Sequence, residues 1–479
     1  MKRWVIIIIG IWVAVKGMAA THYVVTNGTP GVTSTDPYTN WATAGTSILE
    51  VVNAAMTNTG TRVVWVTNGT YYFTRGVDIT NSLTIQSVNG RSNTIINGNR
   101  PAMSNYAFYI NCSAGSTGVM DGITITNFVY TNYATVYINN RGTIKNCLIT
   151  DNLGRTPNGA SSGGGIFMNY DGEVTNCVVR ANSVNSYGGG IAVADANNTV
   201  RDTLIQSNIV DSWGGGGIAL FGSAAGAGHG NNCVISNCII INNRACSGGG
   251  IGSVGTATNW SIISCVITGN TAAGRGAVVP GLGGGIKMFG TAASYPFIKN
   301  CTIQGNLARD FGGGIYGMDF SLRNSLISGN TAQTNGGGAW VQTGLVENCT
   351  IVSNVAGTVG GGLYFDGLNV TGINNIVYYN TAASANNFTN TAGNTGLHYS
   401  CVIPAVNGTG NITNNPVLKD LAGGDYRLRM TSPCVNAGTN QDWMTGAVDL
   451  DGNARILKTI VDMGAYETRI WQGTIYRIP

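Results

Sequence analysis

Charge and histidine are what this 479-residue chain has least of: only 10% of its residues are charged, and its three histidines are His22, His229 and His398. That scarcity excludes chemistry built on clustered titratable groups. The chain carries no HExxH zinc motif, no GxSxG nucleophile elbow and no Cys–His pair in a supporting context. A strong net charge is missing as well. Of 25 basic residues, Lys2, Arg3 and Lys16 fall within the first 20 positions, leaving 22 against 21 acidic ones. A nucleic-acid partner is therefore not expected. Beyond residue 20 no apolar run is long enough to cross a bilayer as a helix. The 71 glycines follow no Gly-X-Y period, which excludes collagen, and 43% hydrophobic residues with a mean hydropathy of +0.10 argue against a disordered chain.

What is present begins with an address. Lys2 and Arg3 precede an apolar stretch from Trp4 to Val15, and Gly17 with Ala19 supplies a small-x-small cleavage site, so residues 1–20 are expected to be a signal peptide. The mature protein would then be secreted, extracellular or on the outer surface of a bacterial cell, with no transmembrane segment after cleavage.

One unit recurs through the middle of the chain. Its first half reads NCLITDN at 146, NCVVRAN at 176, DTLIQSN at 202, NCIIINN at 237, SCVITGN at 264, NCTIQGN at 300, NSLISGN at 324, NCTIVSN at 348 and NNIVYYN at 374. Its second half is a glycine triplet and an aliphatic residue, at 163, 188, 215, 248, 283, 312, 336 and 360. Cys147 and Ile149, like Cys301 and Ile303, stand two apart with polar residues beyond them, which is strand periodicity with Cys and Ile inward. A unit as short as 24 residues cannot bury its own apolar face, so it must stack on its neighbours. Leucine-rich repeats are excluded by the missing leucines. The pattern predicts an all-β chain, a parallel β-helix of about 24–35 residues per coil, three strands to each coil.

The pairing of Ile327 and Asn330 with the triplet at 336 resembles the repeats of polymorphic outer membrane proteins. From THYVV onward the chain more closely resembles the secreted right-handed β-helix proteins grouped as choice-of-anchor Q, within the pectate-lyase-like superfamily. The entry segments YTNWATAGTSILEVVNAAM, VVWVTNGTYYF and LTIQSVNG and the exit segments SPCVNAG, DLDGNAR and VDMGAYE carry that likeness. The resemblance implies a right-handed helix and no assigned reaction. It divides the chain into an N-terminal helical cap and first coils at 21–80, the β-helix at 81–415, and a C-terminal cap at 416–479 that closes the far end. Ile48, Val51, Val52 and Ala55 share one face of the helix expected over 47–56.

Eleven cysteines in a secreted chain suggest disulfides, yet Cys147, Cys177, Cys238, Cys265, Cys301, Cys349 and Cys401 repeat at coil spacing, which points to an inward ladder of thiols. Cys112, Cys233, Cys246 and Cys434 lie off it, with a bond among Cys233, Cys246 and Cys238 left open. The recurring Asn152 to Asn380 read as amides bonding coil to coil at a turn, each taking up the left-handed backbone there.

Catalytic candidates are few. The likeness to pectin-degrading β-helices implies that Gly228-His229-Gly230 and Ile286-Lys287 echo polygalacturonase signatures, but the acid pair expected before His229 is missing, only Asp202 and Asp211 standing near. Asp171 and Asp195 follow the triplet in neighbouring coils and are the remaining carboxylate candidates. From Ser212 to Arg309 there is no Asp or Glu, which leaves nothing for a carboxylate-bound metal. Arg275 and Lys287 in that basic stretch, with Tyr187, Trp213 and Phe311 beside the triplets, are expected to face a polysaccharide or cell-surface glycan. Long insertions at 153–162, 219–236, 252–263, 271–282 and 287–299 would wall such a groove. Asp449, Asp451 and Asn453 imitate the start of a calcium loop whose later ligands are missing. No cofactor is expected, with calcium the one ion left open. Asp462 and Arg455 are expected to pair within the cap. The function expected is a structural or adhesive surface element that engages polysaccharide along its side, with a polysaccharide lyase or glycoside hydrolase as the alternative.

Overall fold

The computed structural model describes residues 19–469 except 74, 101–105, 132–133, 156–161, 223–231, 257–258, 277, 292–294 and 392–395. The expected signal peptide, apart from its last two residues, and the candidate His229 lie outside the described residues.

Each coil of the chain lays down short strands that pair in parallel with the same strands of the coils before and after. One coil runs through Thr199–Arg201, Leu204–Gln206, Ile209–Val210 and Ile218–Phe221. Among the described residues, stacking these gives a first sheet of 14 strands, a second of 13 and a third of 12, starting from Ala20–Val24, Gly69–Tyr72 and Val77–Ile79 respectively. A fourth sheet of nine two-residue strands, Val129–Tyr130 to Val355–Ala356, is one more strand per coil than the repeat pattern predicts. It arises because the chain stays extended for two residues after the recurring Asn before bending at the triplet. Among the described residues the one antiparallel pair of strands is Leu418–Asp420 with Asp425–Leu428.

Two side-chain columns hold the coils in register. Asn306 shows the first: its backbone N–H and Nδ2 both donate to Asn330 Oδ1, at 3.0 and 2.9 Å, while Nδ2 also reaches Ile267 O at 2.9 Å. Every rung from Asn152 to Asn380 is buried, and Asn387 ends the series. The left-handed residue is not the ladder Asn, as the sequence suggests, but the one before it, such as Ala181 at φ 52° and Ser353 at φ 57°. The asparagines that do take that conformation open the repeat, for example Asn300 at φ 55° and Asn348 at φ 51°. The second column is the thiol ladder, with Cys147, Cys177, Cys238, Cys265, Cys301 and Cys349 all in the inner core. Cys401 is not its seventh rung. It pairs with Ile376, and Ser400 takes the ladder place, its Oγ 3.0 Å from Asn375 N.

The triplets exist because coils approach too closely there for side chains. A Cβ on Gly314 would stand 2.5 Å from Gly338 O and 3.0 Å from the Asn330 amide, and the preceding Gly312 sits at φ +66°.

A helix, Ile48–Met56, starts where Ser47 Oγ accepts the Glu50 N–H, and buries Ile48, Val51, Val52 and Ala55 against the inner core. The other end differs from expectation. It is residues 404–415 that fold over the last coil, with Val406 against the inner core, the Val402 N–H bonded to Ile412 O and Asn411 Oδ1 bonded to Ser400 N. The segment after 416 turns back and lies on the flank. Asn324 Nδ2 bonds Val448 O at 2.7 Å, Asn348 Nδ2 bonds Asp462 O at 3.3 Å and Asn374 Nδ2 bonds Thr439 O at 2.8 Å, so three left-handed asparagines become its seat.

Candidate functional site: a groove beside the third sheet

Strand alternation puts one residue of each third-sheet strand on the outside. In register, that column reads Tyr109, Tyr137, Phe167, Ala192, Ala219, Gly252, Lys287, Tyr316, Trp340, Tyr364. Two aromatic runs are thus interrupted by three small residues and a lysine. The later run stacks on itself, Tyr316 to Trp340 at 4.3 Å and 14°, so its ring faces are already covered. Beside the interruption the surface sinks into a half-open cavity of about 440 Å³.

One end of the groove is aromatic. Tyr187 and Trp213 stack at 6.2 Å and 19°, and Tyr187 meets the edge of Phe221 at 5.4 Å. Trp213 remains 46% exposed, so ring surface is left free for a ligand. The other end holds Lys287, whose Nζ lies 4.8 Å from the centre of the Phe289 ring. Burial pulls the Lys287 pKa below its ordinary value, and no carboxylate contributes to it. Ile218 pairs with Ile251 and Ile251 with Ile286, so the two ends are two coils apart, about 10 Å at the usual strand spacing.

The side wall comes from the insertion at 271–282. Arg275 N bonds Val279 O at 2.7 Å to make a small turn that carries Val278, Val279 and Pro280 to the groove. Asp310 and Arg309 fix its base, the carboxylate accepting Gly281 N–H at 2.6 Å and the guanidinium reaching Gly276 O at 3.0 Å.

The groove therefore gathers Tyr187, Trp213 and Lys287 from among the residues predicted to bind. Arg275 stays at its margin, its Nη1 3.4 Å from Ser212 Oγ. Phe311 is not there. It follows Tyr187 in the same column but four coils on, against Tyr316 at 6.4 Å. Phe289 and the wall valines escaped the sequence reading. The signal that could have found the place is the residue after each triplet's aliphatic partner, small at 192, 219 and 252 and aromatic or basic elsewhere.

Residues 198–415 match the family described as "Right handed beta helix region". The chain is a right-handed parallel β-helix. Solved structures similar to it include pectate lyase Pel9A (14% identity, 95% of this chain and 98% of that one, TM-score 0.40). Others are the PL6 family alginate lyase AlyGC (12%, 86% and 57%, TM-score 0.45) and the A-module of the Azotobacter vinelandii mannuronan C-5 epimerase AlgE6 (12%, 68% and 92%, TM-score 0.38). Likeness at this level says nothing about chemistry. No curated protein sequence matches the chain.

The other candidates of the β-helix lie away from the groove. Asp171 and Asp195 occupy left-handed turn positions at φ 50° and 45°. Asp171 is engaged by Arg141 at 3.3 Å and by Asn197 at 3.1 Å, and Asp195 by the Tyr170 hydroxyl. In the flank segment the Asp449 carboxylate accepts N–H groups from Asp451, Asn453 and Glu467 and the Asn453 amide, at 2.7–3.0 Å. Asp451 is held by two bonds from Arg427, at 2.6 and 2.7 Å. N–H donors thus surround the Asp449 carboxylate, and among the described residues no three His, Cys, Asp or Glu side chains gather as metal ligands. The expected Arg455–Asp462 pair is also corrected. Arg455 bonds the Asp462 carbonyl at 2.9 Å, and its guanidinium lies 3.2 Å from the Glu467 carboxyl. The Asp462 carboxylate instead accepts Asn436 N and Thr468 N, each at 2.7 Å.

Proposed function

We propose that this β-helix is secreted, acts as a structural or adhesive element at the cell exterior and binds an anionic polysaccharide along its side, with the groove as the anchor. The observation that carries this is the pairing, in one trough two coils long, of an open Trp213 ring and a lysine that has no acidic partner among the described residues. A pyranose ring presents C–H groups that pack on the indole, and a carboxylate or sulfate on a nearby sugar completes the charge of Lys287. Aliphatic Val279 and Leu282 line the trough beside that contact and lower its exposure to water, which strengthens an ion pair relative to bulk.

The test is retention of the purified protein on a panel of polyuronate, sulfated and neutral polysaccharides, with release of new chain ends followed in parallel. Binding of the charged polymers that falls with salt and with Lys287→Met agrees with the proposal; equal retention of neutral polymers refutes it. A second reading, a polysaccharide-cleaving enzyme, is favoured by one observation, the burial of the Lys287 amine in the groove, which lowers its pKa and so eases the loss of its proton. Unsaturated ends that appear with wild type and vanish with Lys287→Met would establish it.

A further inference from the structure

Two of the eleven cysteines are placed unlike the rest. Cys401 opens the last strand of the second sheet, Cys401–Val402, with its side chain outside the coil. Cys434 lies in the flank segment, where Ser432 Oγ accepts its backbone N–H at 3.1 Å and its carbonyl accepts Met463 N–H at 3.0 Å. Both thiols are fully buried in a small apolar cluster separate from the inner core. That cluster joins Leu326, Val352 and Ile376 of the coils to Leu418, Tyr426, Leu428 and Met463 of the segment. Within it the two free thiols are neighbours close enough to perturb each other, and the Cys401 Sγ bonds Asn414 O at 3.2 Å.

We propose that Cys401 and Cys434 form a disulfide that fastens the flank segment to the last coil. The ladder thiols also touch one another, Cys147 with Cys177 and Cys265 with Cys238 and Cys301, but their geometry is different. In-register parallel strands hold equivalent Cβ atoms about 4.8 Å apart, beyond the 3.5–4.5 Å that a disulfide spans, and every coil above and below resists closing that distance. Cys434 sits on a segment packed against the sheet rather than paired into it, so the closing shift meets no strand ladder.

The chemistry is thiol–disulfide exchange with a small-molecule disulfide as oxidant. One cysteine thiolate attacks a sulfur of the oxidant, expelling a thiolate and leaving a mixed disulfide. The second cysteine thiolate displaces the other half, which departs as a thiolate. Each cysteine proton ends on a departing thiolate, so the oxidant is reduced to two thiols and the protein loses two hydrogens.

The test uses the full chain, incubated with oxidised glutathione, then denatured in iodoacetamide and digested for mass spectrometry. A peptide linking Cys401 to Cys434, with the other nine cysteines alkylated, is the expected result. Alkylation at all eleven, or a link made elsewhere, overturns the proposal. A second readout needs no variant: after proteolytic nicking between 404 and 416, the C-terminal fragment should remain attached without reductant and leave with it. Loss of the fragment in both conditions overturns the proposal as well.

Discussion

Replacing Asn306 by Ala tests what holds the coils in register. The side chain donates Nδ2–H bonds to Ile267 O and Asn330 Oδ1, both at 2.9 Å, and its Oδ1 accepts Asn270 N and Nδ2 at 2.9 and 3.0 Å. After truncation Asn270 Nδ2 still has Ile240 O at 2.9 Å, so two groups lose their side-chain partner, the Asn270 N–H and Ile267 O. Leaving a buried group unpaired costs about 1–3 kcal/mol, so the loss should be about 2–6 kcal/mol. Asn306→Asp keeps the acceptor but sets a buried carboxylate against Ile267 O, and should cost at least as much. Asn152→Ala is an internal check. There the same truncation strands Phe128 N–H and Ile125 O, again one donor and one acceptor, so it should cost about as much. Because a solenoid unfolds in parts, the measurement is hydrogen exchange of the flanking strands, Val266–Thr268 and Thr302–Gln304, alongside the thermal midpoint. A loss below about 0.5 kcal/mol at Asn306, within the range of an ordinary surface change, would refute the ladder's energetic role.

Four further outcomes follow from the structure. Trp213→Ala should weaken polysaccharide retention by about tenfold with little change in thermal midpoint, the loss of one stacking contact being worth about 1–1.5 kcal/mol, as affinity electrophoresis would show. Gly314→Ala should cost about 1–3 kcal/mol through the contact its Cβ would make with Gly338 O, read as a lower unfolding midpoint. In the flank segment, burial, with the charges of Asp462 and Asp449 adding to it, raises the Glu467 pKa from 4.5 to about 8 despite Arg455. The folded state therefore holds a proton that the unfolded chain gives up, so the segment should be most resistant to protease below pH 4.5 and weaken as pH rises towards 8, a trend that Glu467→Gln should flatten. Calcium or a chelator should leave the unfolding midpoint unmoved, since N–H donors surround Asp449; a calcium-dependent rise would contradict that account.

The coil architecture was legible because strand periodicity and repeat length are both local in sequence. Cys301, Ile303 and Asn306 already announce which side chains face inward and where the chain turns. What was not legible depends on contacts between distant segments. Cys401 looks like a ladder residue from its place near the end of the series, and only the pairing with Ile376 moves it out. The path of the flank segment is set by Asn324, Asn348 and Asn374, which are indistinguishable in sequence from Asn146 or Asn176. Trp213 and Lys287 could be suspected from composition, but the groove between them needs the hollow beside Gly252 and the wall raised from 278 to 280. Phe311 was misplaced because a residue next to a triplet shares a column with Tyr187 without sharing its coil.

The uniform rise of the coils has a consequence for how such a molecule can change length. Each turn of the chain presents the next with the same donors and acceptors, so a whole turn copied in below Tyr187 would find its partners ready. The rod would grow by one strand spacing while the groove and the seat of the flank segment kept their geometry. The length of the rod and the chemistry of the groove are thus independently adjustable, the first by counting turns and the second by the few side chains that interrupt an aromatic row.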